Sequence, residues 1–197
     1  MVDLLGIEIK HNPDGSILLH MKKYVEKLLA EFLPGGVPKG SASKSCLPYS
    51  KDLAGIVGDA SNARALQGAG QCLHPHLLEA YQKRLGCLMY LTNSVRPDLA
   101  YVIGMHCRNM GSPTPELLRE LDHVFVYLAR HPAVGLTYNT TPTEMHGFTD
   151  ASLDVNRSTS GYLVMWQGAA VSWGSTKQKS TALSSCEAEI YAFYPRS

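Results

Sequence analysis

The sequence predicts an α+β fold. Three observations carry this: an opening stretch of alternating apolar residues broken by turn residues, a middle with apolar residues at helical spacing, and a strand-rich stretch after Pro132 that runs into a helix start. Period two marks half-buried strands, and recurrence every three to four residues marks amphipathic helices. With 197 residues, 45% of them hydrophobic and 18% charged, the chain can bury a core, so an intrinsically disordered class is excluded.

Residues 4–21 read as a β-hairpin. "LLGIEIK" alternates, "HNPDGS" supplies turn residues with Gly15 suited to positive φ, and "ILLHM" returns. A helix follows, in which Tyr24, Val25, Leu28, Leu29 and Phe32 recur at helical spacing until "PGG" stops it. Residues 34–74 are heavy in Gly, Ser, Ala and Pro without a sustained period, which predicts a long irregular connecting segment.

Residues 75–131 turn helical in three stretches. The first carries Leu77, Leu78, Tyr81, Leu85, Leu88 and Met89, and the second starts at "RPDLAYVIGMHC". The third starts at "TPELLRELDHVFVYLARH", with Thr114 as N-cap, Pro115 at N1, Glu116 facing the positive end of the helix dipole, and Arg130 and His131 in the last turn. Tyr81, Tyr90, Tyr101, Phe125 and Tyr127 fall at helical positions and are expected in the core rather than as base-stacking platforms.

Past Pro132, "GLTYN" and "MHGFTDAS" are short strand candidates, and "SGYLVMWQGAAVSWGS" reads as two strands joined at "QGA". In "STALSSCEAEIYAFYPRS", Thr181, Ser184 and Ser185 offer caps, Glu187 and Glu189 fall in the first turn, and Pro195 is expected to end the helix.

Chemistry concentrates in this last part. Asp150 ends an apolar strand and Glu187 opens a helix; hard oxygen ligands so placed suit Mg²⁺ or Mn²⁺. The same residues have plainer uses. Ser184-x-x-Glu187 fits a capping box, and Asp150 can order a turn. Lys177, Gln178 and Lys179 can contact phosphates or form a solvated strand end. Cys72, His74 and His76, and the adjacent His106 and Cys107, lack the paired spacing of a zinc site. No glycine-rich phosphate loop or nucleophile elbow occurs.

Five cysteines at irregular spacing argue against a disulfide framework. With no secretory n- and h-region and no run of about 18 apolar residues, the expectation is a soluble cytoplasmic or nuclear protein, not a secreted or membrane one.

The blocks "RLGCLMYLTNSVRPDLAYVIG", "LDHVFVYLARHPAVGLTY", "GFTDAS" and "NRSTSGYLVMWQGAAVSWGSTKQKSTALSSCEAEIYA", in this order, resemble the C-terminal part of the Pol polyprotein of copia-type LTR retrotransposons. The opening "LLGIEIKHNPDGSILLHMKKYVEKLLAEF" is similar to the same family, so the resemblance covers most of the chain except about residues 35–75. It implies that residues 1–33 end a reverse transcriptase palm and start the thumb, 34–74 connect, 75–131 form helical thumb and connection, and 132–197 form a truncated RNase H-like sheet with its first helix. It further implies that Asp150 and Glu187 are metal-binding carboxylates of a ribonuclease that cuts the RNA strand of RNA/DNA hybrids with Mg²⁺ or Mn²⁺, with Lys177, Gln178 and Lys179 toward the nucleic acid.

Departures set a further expectation. The family's later acidic residues and the palm aspartates fall outside the chain, Asp154 is out of register in a shortened loop, and "YPRS" breaks the helix pattern. The expected product is a fragment that binds metal weakly, if at all, and is inactive, with other Pol segments as possible partners. The open alternatives are a non-catalytic nucleic-acid-binding module and a degenerate remnant.

Overall fold

The computed structural model describes residues 2–37, 47–67, 74–153 and 158–193. Its α+β elements run β1 (Val2–Leu4), β2 (Ile7–His11), β3 (Ile17–His20), α1 (Lys22–Phe32), α2 (Leu53–Gln67), α3 (Pro75–Val95), a 3-10 turn (Pro97–Leu99), α4 (Ala100–Cys107), α5 (Pro115–Arg130), β4 (Leu136–Tyr138), β5 (His146–Ser152), β6 (Thr159–Trp166), β7 (Ala169–Lys177) and α6 (Ser185–Phe193). The strands form two sheets, ordered β1-β2-β3-β4 and β5-β6-β7. Two compact units result: residues 3–8 with 20–134, and residues 1–2 and 9–19 with 135–197.

The first of these is mainly helical. Tyr81, Leu85, Leu88, Leu91 and Val95 form one buried stripe along α3, and Leu117, Leu121, Val124, Phe125 and Leu128 form another along α5. Both stripes follow the helical period, so the two helices bury apolar faces in a shared core. Thr114 caps α5 as expected, its Oγ1 accepting from the Leu117 N–H at 3.3 Å. Residues 34–74 need a correction, because α2 crosses that segment. Its buried face is Leu53, Val57 and Ala60, while Gly55, Gly58 and several alanines dilute the periodic signal. Asn109 secures this helix, donating to the Val57 carbonyl at 3.1 Å and accepting from Ser61 Oγ at 3.2 Å.

α1 starts without a side-chain cap of its own. Glu8 fills that role from 15 positions upstream: it is buried and its Oε2 accepts from the Lys23 N–H at 2.9 Å. A carboxylate there also meets the positive end of the helix dipole. Arg96, fully buried, grips Asp98 with Nε and Nη2, donates to the His131 carbonyl at 3.0 Å and lies over the Tyr127 ring. Buried charges persist only when paired in this way.

The other unit holds the expected strands. β3 pairs antiparallel with β4, matching Ile17 to Tyr138 and Leu19 to Leu136. β5, β6 and β7 form an antiparallel meander with a bulge at Val164/Met165. Its small core is Leu136, Ala169 and Ala170, against which Leu19, Tyr138, Leu163 and Trp173 pack. α6 packs against β5 and β6 through Ala188 and Ala192. The Pro195 stop lies outside the described residues, as does Asp154.

The opening stretch also departs from one unbroken strand. Leu5 and Gly6 both take positive φ, 52° and 79°, and turn the chain between β1 and β2. The second turn is as expected, with Gly15 at φ +83°.

Candidate active site

Asp150 sits in β5, the fifth of seven paired positions, opposite Gly161 of β6, which itself faces Ser175 of β7. Period two puts Phe148 and Asp150 on one face of the sheet. A Cβ at position 161 would meet only the Gly174 carbonyl oxygen at 3.9 Å, so the glycine leaves open space beside the aspartate, whose side chain is exposed. Nothing in this arrangement ties the carboxylate into a turn.

Glu187 is held differently. α6 begins at Ser185, which makes Ser184 the N-cap, and Ser184 Oγ accepts from the Glu187 N–H at 3.1 Å. The Glu187 carboxylate turns back toward the helix start: Oε2 accepts from the Leu183 N–H at 2.8 Å, and Oε1 accepts from Tyr191 Oη at 2.6 Å. This is a capping box displaced by one residue, since the usual donor to the carboxylate is the N-cap N–H itself. The capping role and the first-turn position are therefore both present in one side chain.

β5 and α6 pack together, which brings the strand of Asp150 beside the helix of Glu187. Among the described residues, no three His, Cys, Asp or Glu side chains gather to hold a metal ion. A two-metal centre needs carboxylates that bridge and flank both ions. Asp150 offers an open carboxylate and each Glu187 oxygen accepts one hydrogen bond and keeps a second lone pair, but two carboxylates alone do not bridge and flank two ions.

The three candidates for nucleic-acid contact divide. Lys177, at the end of β7, and Lys179 are exposed. Gln178 between them is only 7% exposed and points inward: its Nε2 donates to Ser160 Oγ and to the Ala188 carbonyl, both at 2.8 Å, and its backbone N–H donates to the Ser158 carbonyl. It ties the end of β7 to β6 and α6. A solvated strand end accounts for the lysines but not for this glutamine.

His74 and His76 stack edge to face, and Cys72 lies outside the described residues. His106 is buried against Tyr81, with 2.9 Å between the phenol oxygen and Nδ1. Cys87, Cys107 and Cys186 are free thiols. Tyr191 and Gly161 escaped sequence reasoning, although the four-residue spacing from Glu187 to Tyr191 was a readable signal.

The chain is 38% identical over 117 residues to the secreted RxLR effector protein 161 of Plasmopara viticola, a match covering 57% of this chain and 82% of that protein. It is 28% identical over 202 aligned positions to the retrovirus-related Pol polyprotein from transposon TNT 1-94 of Nicotiana tabacum, covering 96% of this chain and 14% of the polyprotein. It is 27% identical over 182 positions to a putative transposon Ty5-1 protein of Saccharomyces cerevisiae, covering 89% of this chain and 53% of that protein. The chain thus spans a seventh of the tobacco polyprotein and about half of the yeast protein. No family model and no solved structure matches it.

Proposed function

We propose, because this chain belongs to the family of the Plasmopara viticola secreted RxLR effector protein 161 and is related to transposon Pol polyproteins, that it derives from the reverse transcriptase and ribonuclease H part of a copia-type retrotransposon. The complete form would copy RNA into DNA and hydrolyse the RNA strand of RNA/DNA hybrids. The observation that carries the reading is the succession in one unit of a strand bearing Asp150, the β6–β7 hairpin, and a helix bearing Glu187 in its first turn.

In this chain the reading favours holding nucleic acid over cutting it. Glu187 is engaged as a cap, and the two carboxylates would bind Mg²⁺ or Mn²⁺ weakly, if at all. Lys177 and Lys179 supply point charges for phosphates, and an RNA/DNA hybrid would be gripped by its backbone rather than read by sequence. Other Pol segments are candidate partners. No helix of the described residues is long and apolar enough to cross a membrane, and a reducing cytoplasmic or nuclear compartment is part of the proposal.

The test is cleavage and retention of a labelled RNA/DNA hybrid in Mg²⁺ or Mn²⁺, using the chain and its Asp150→Asn and Glu187→Gln variants. Retention without cleavage is expected. Cleavage abolished by both substitutions would overturn the inactive reading, and neither retention nor cleavage would overturn nucleic-acid binding altogether.

A further inference from the structure

β5 lies at the edge of its sheet, and among the described residues no strand pairs with its outer side. It is seven residues long, and every residue from His146 to Asp150 is exposed. Sheet edges are commonly blunted by shortness, a lysine, a proline or a bulge. β1 has only three residues, and β7 is bulged against β6 and ends on Lys177. "HGFTDAS" has no lysine and no proline, and its register against β6 is unbroken.

The direction of the backbone groups at this edge follows from one hydrogen bond. The Gln178 N–H donates to the Ser158 carbonyl at 2.8 Å, in step with the β6–β7 register. In an antiparallel ladder a residue turns its N–H and C=O to one side, and its chain neighbours turn theirs to the other. Even-numbered residues at this end of β6 therefore bond to β7, while Gly161 and Leu163 bond to their partners Asp150 and Phe148. Gly147, Thr149 and Ala151 are left with their N–H and C=O groups at the free edge. The faces follow from the same register. Ala151 pairs with Ser160, and Gln178 Nε2 reaches both Ser160 Oγ and the Ala188 carbonyl, so Thr149 and Ala151 share the face on which α6 lies. His146, Phe148 and Asp150 alternate onto the other face.

We propose that a second copy of this chain pairs with this edge, β5 against β5, antiparallel about a two-fold axis at Phe148. Side-chain chemistry selects that register. It sets His146 opposite the second copy's Asp150, Phe148 opposite Phe148, and Asp150 opposite His146. These are the positions not joined by backbone bonds, where facing side chains come closest. An imidazole N–H donates to the carboxylate, and the two rings shield each other from water. Gly147 and Thr149 exchange the backbone bonds. An axis at Thr149 would instead set Asp150 against Phe148, and an axis at Asp150 would oppose two carboxylates. α6 leaves room for the pairing, because its contact at Ser160 places it toward the Ala151 end of β5, and the axis at Phe148 carries the two α6 helices to opposite ends. Seven residues a side fall short of the roughly 20–30 of a standard interface, so the association is reversible. It needs neither metal nor nucleic acid and stands apart from the nuclease reading.

The experiment is sedimentation equilibrium of the whole chain from low to high micromolar concentration, without nucleic acid or metal and with reductant to keep the thiols unlinked. The mass is expected to rise from that of one chain toward that of two. His146→Asp opposes carboxylates at both ends of the pairing and should weaken it about tenfold, and adding Asp150→His exchanges the partners and should restore it. Thr149→Pro should abolish the dimer, since the N–H it removes belongs to the free edge and the bonds between β5 and β6 do not use it. If that variant unfolds, the single and exchanged variants decide, because both alter exposed side chains alone. A monomer at every concentration, a dimer indifferent to His146→Asp, or an exchange that fails to restore it overturns the proposal. Growth beyond the dimer overturns it too, because a two-fold pairing of one edge closes.

Discussion

His106 shows how one buried side chain sets a pH limit on folding. Tyr81 Oη lies 2.9 Å from His106 Nδ1 and 3.1 Å from the His106 carbonyl oxygen, and the buried Nε2 has no hydrogen-bond partner. Burial pushes the imidazole down from 6.5 to about 4. Above pH 6.5 the ring is neutral whether the chain is folded or not, and stability from this group does not vary. As pH falls from 6.5 toward 4, the unfolded chain takes up a proton that the folded site refuses, so stability falls by up to roughly 3 kcal/mol. Urea midpoints at pH 7 and pH 4.5 should show this loss, and His106→Gln should reduce it. An equal loss in the variant would assign the pH dependence to carboxylates instead. Nothing in the sequence around "GMHCRN" announced it, because burial of one ring is decided by helices far apart in the chain.

At the scale of elements, legibility followed the strength of local signals. α5 was readable end to end, because Thr114, Pro115 and its apolar stripe agree; Thr114→Ala should cost about 1 kcal/mol in thermal unfolding. α2 was not, because Gly55, Gly58 and the alanines leave a face recognisable only once Leu53, Val57 and Ala60 are seen buried. The β1–β2 turn was also missed, since it places Leu5, a residue that rarely takes positive φ, in its first position. The β6–β7 hairpin was legible from its alternation and from "QGA". Its tip has positive φ at both Gln167 and Gly168, 53° and 82°, the geometry that matches strand twist. A Cβ at position 168 would come within 2.4 Å of Asn139 Nδ2, whose own backbone N–H donates to the Gln167 carbonyl at 2.7 Å. Gly168→Ala should therefore destabilise this unit by about 1–3 kcal/mol, read as a lower unfolding midpoint followed by tryptophan fluorescence. No change would mean that Asn139 moves aside freely.

The candidate site was legible as residue types but not as roles. Asp150 and Glu187 stood out by position, whereas the occupancy of both Glu187 oxygens and the inward turn of Gln178 depend on where α6 comes to lie. For the whole molecule, the net charge is +1, so no broad field draws a polyanion, and attraction must come from local groups. Lys177 and Lys179 are the cations flanking Gln178. Each neutralised phosphate contributes about 0.7–0.9 to the slope of log affinity against log salt, so two give a slope of about −1.4 to −1.8. Hybrid binding measured by anisotropy between 50 and 200 mM salt, roughly the range over which such slopes are read, should follow that shallow line. Lys177→Gln and Lys179→Gln should each take about one phosphate's share from it. A slope several times steeper would mean that cations elsewhere on the chain hold the nucleic acid, and the surface around Gln178 would then lose its claim as the place of contact.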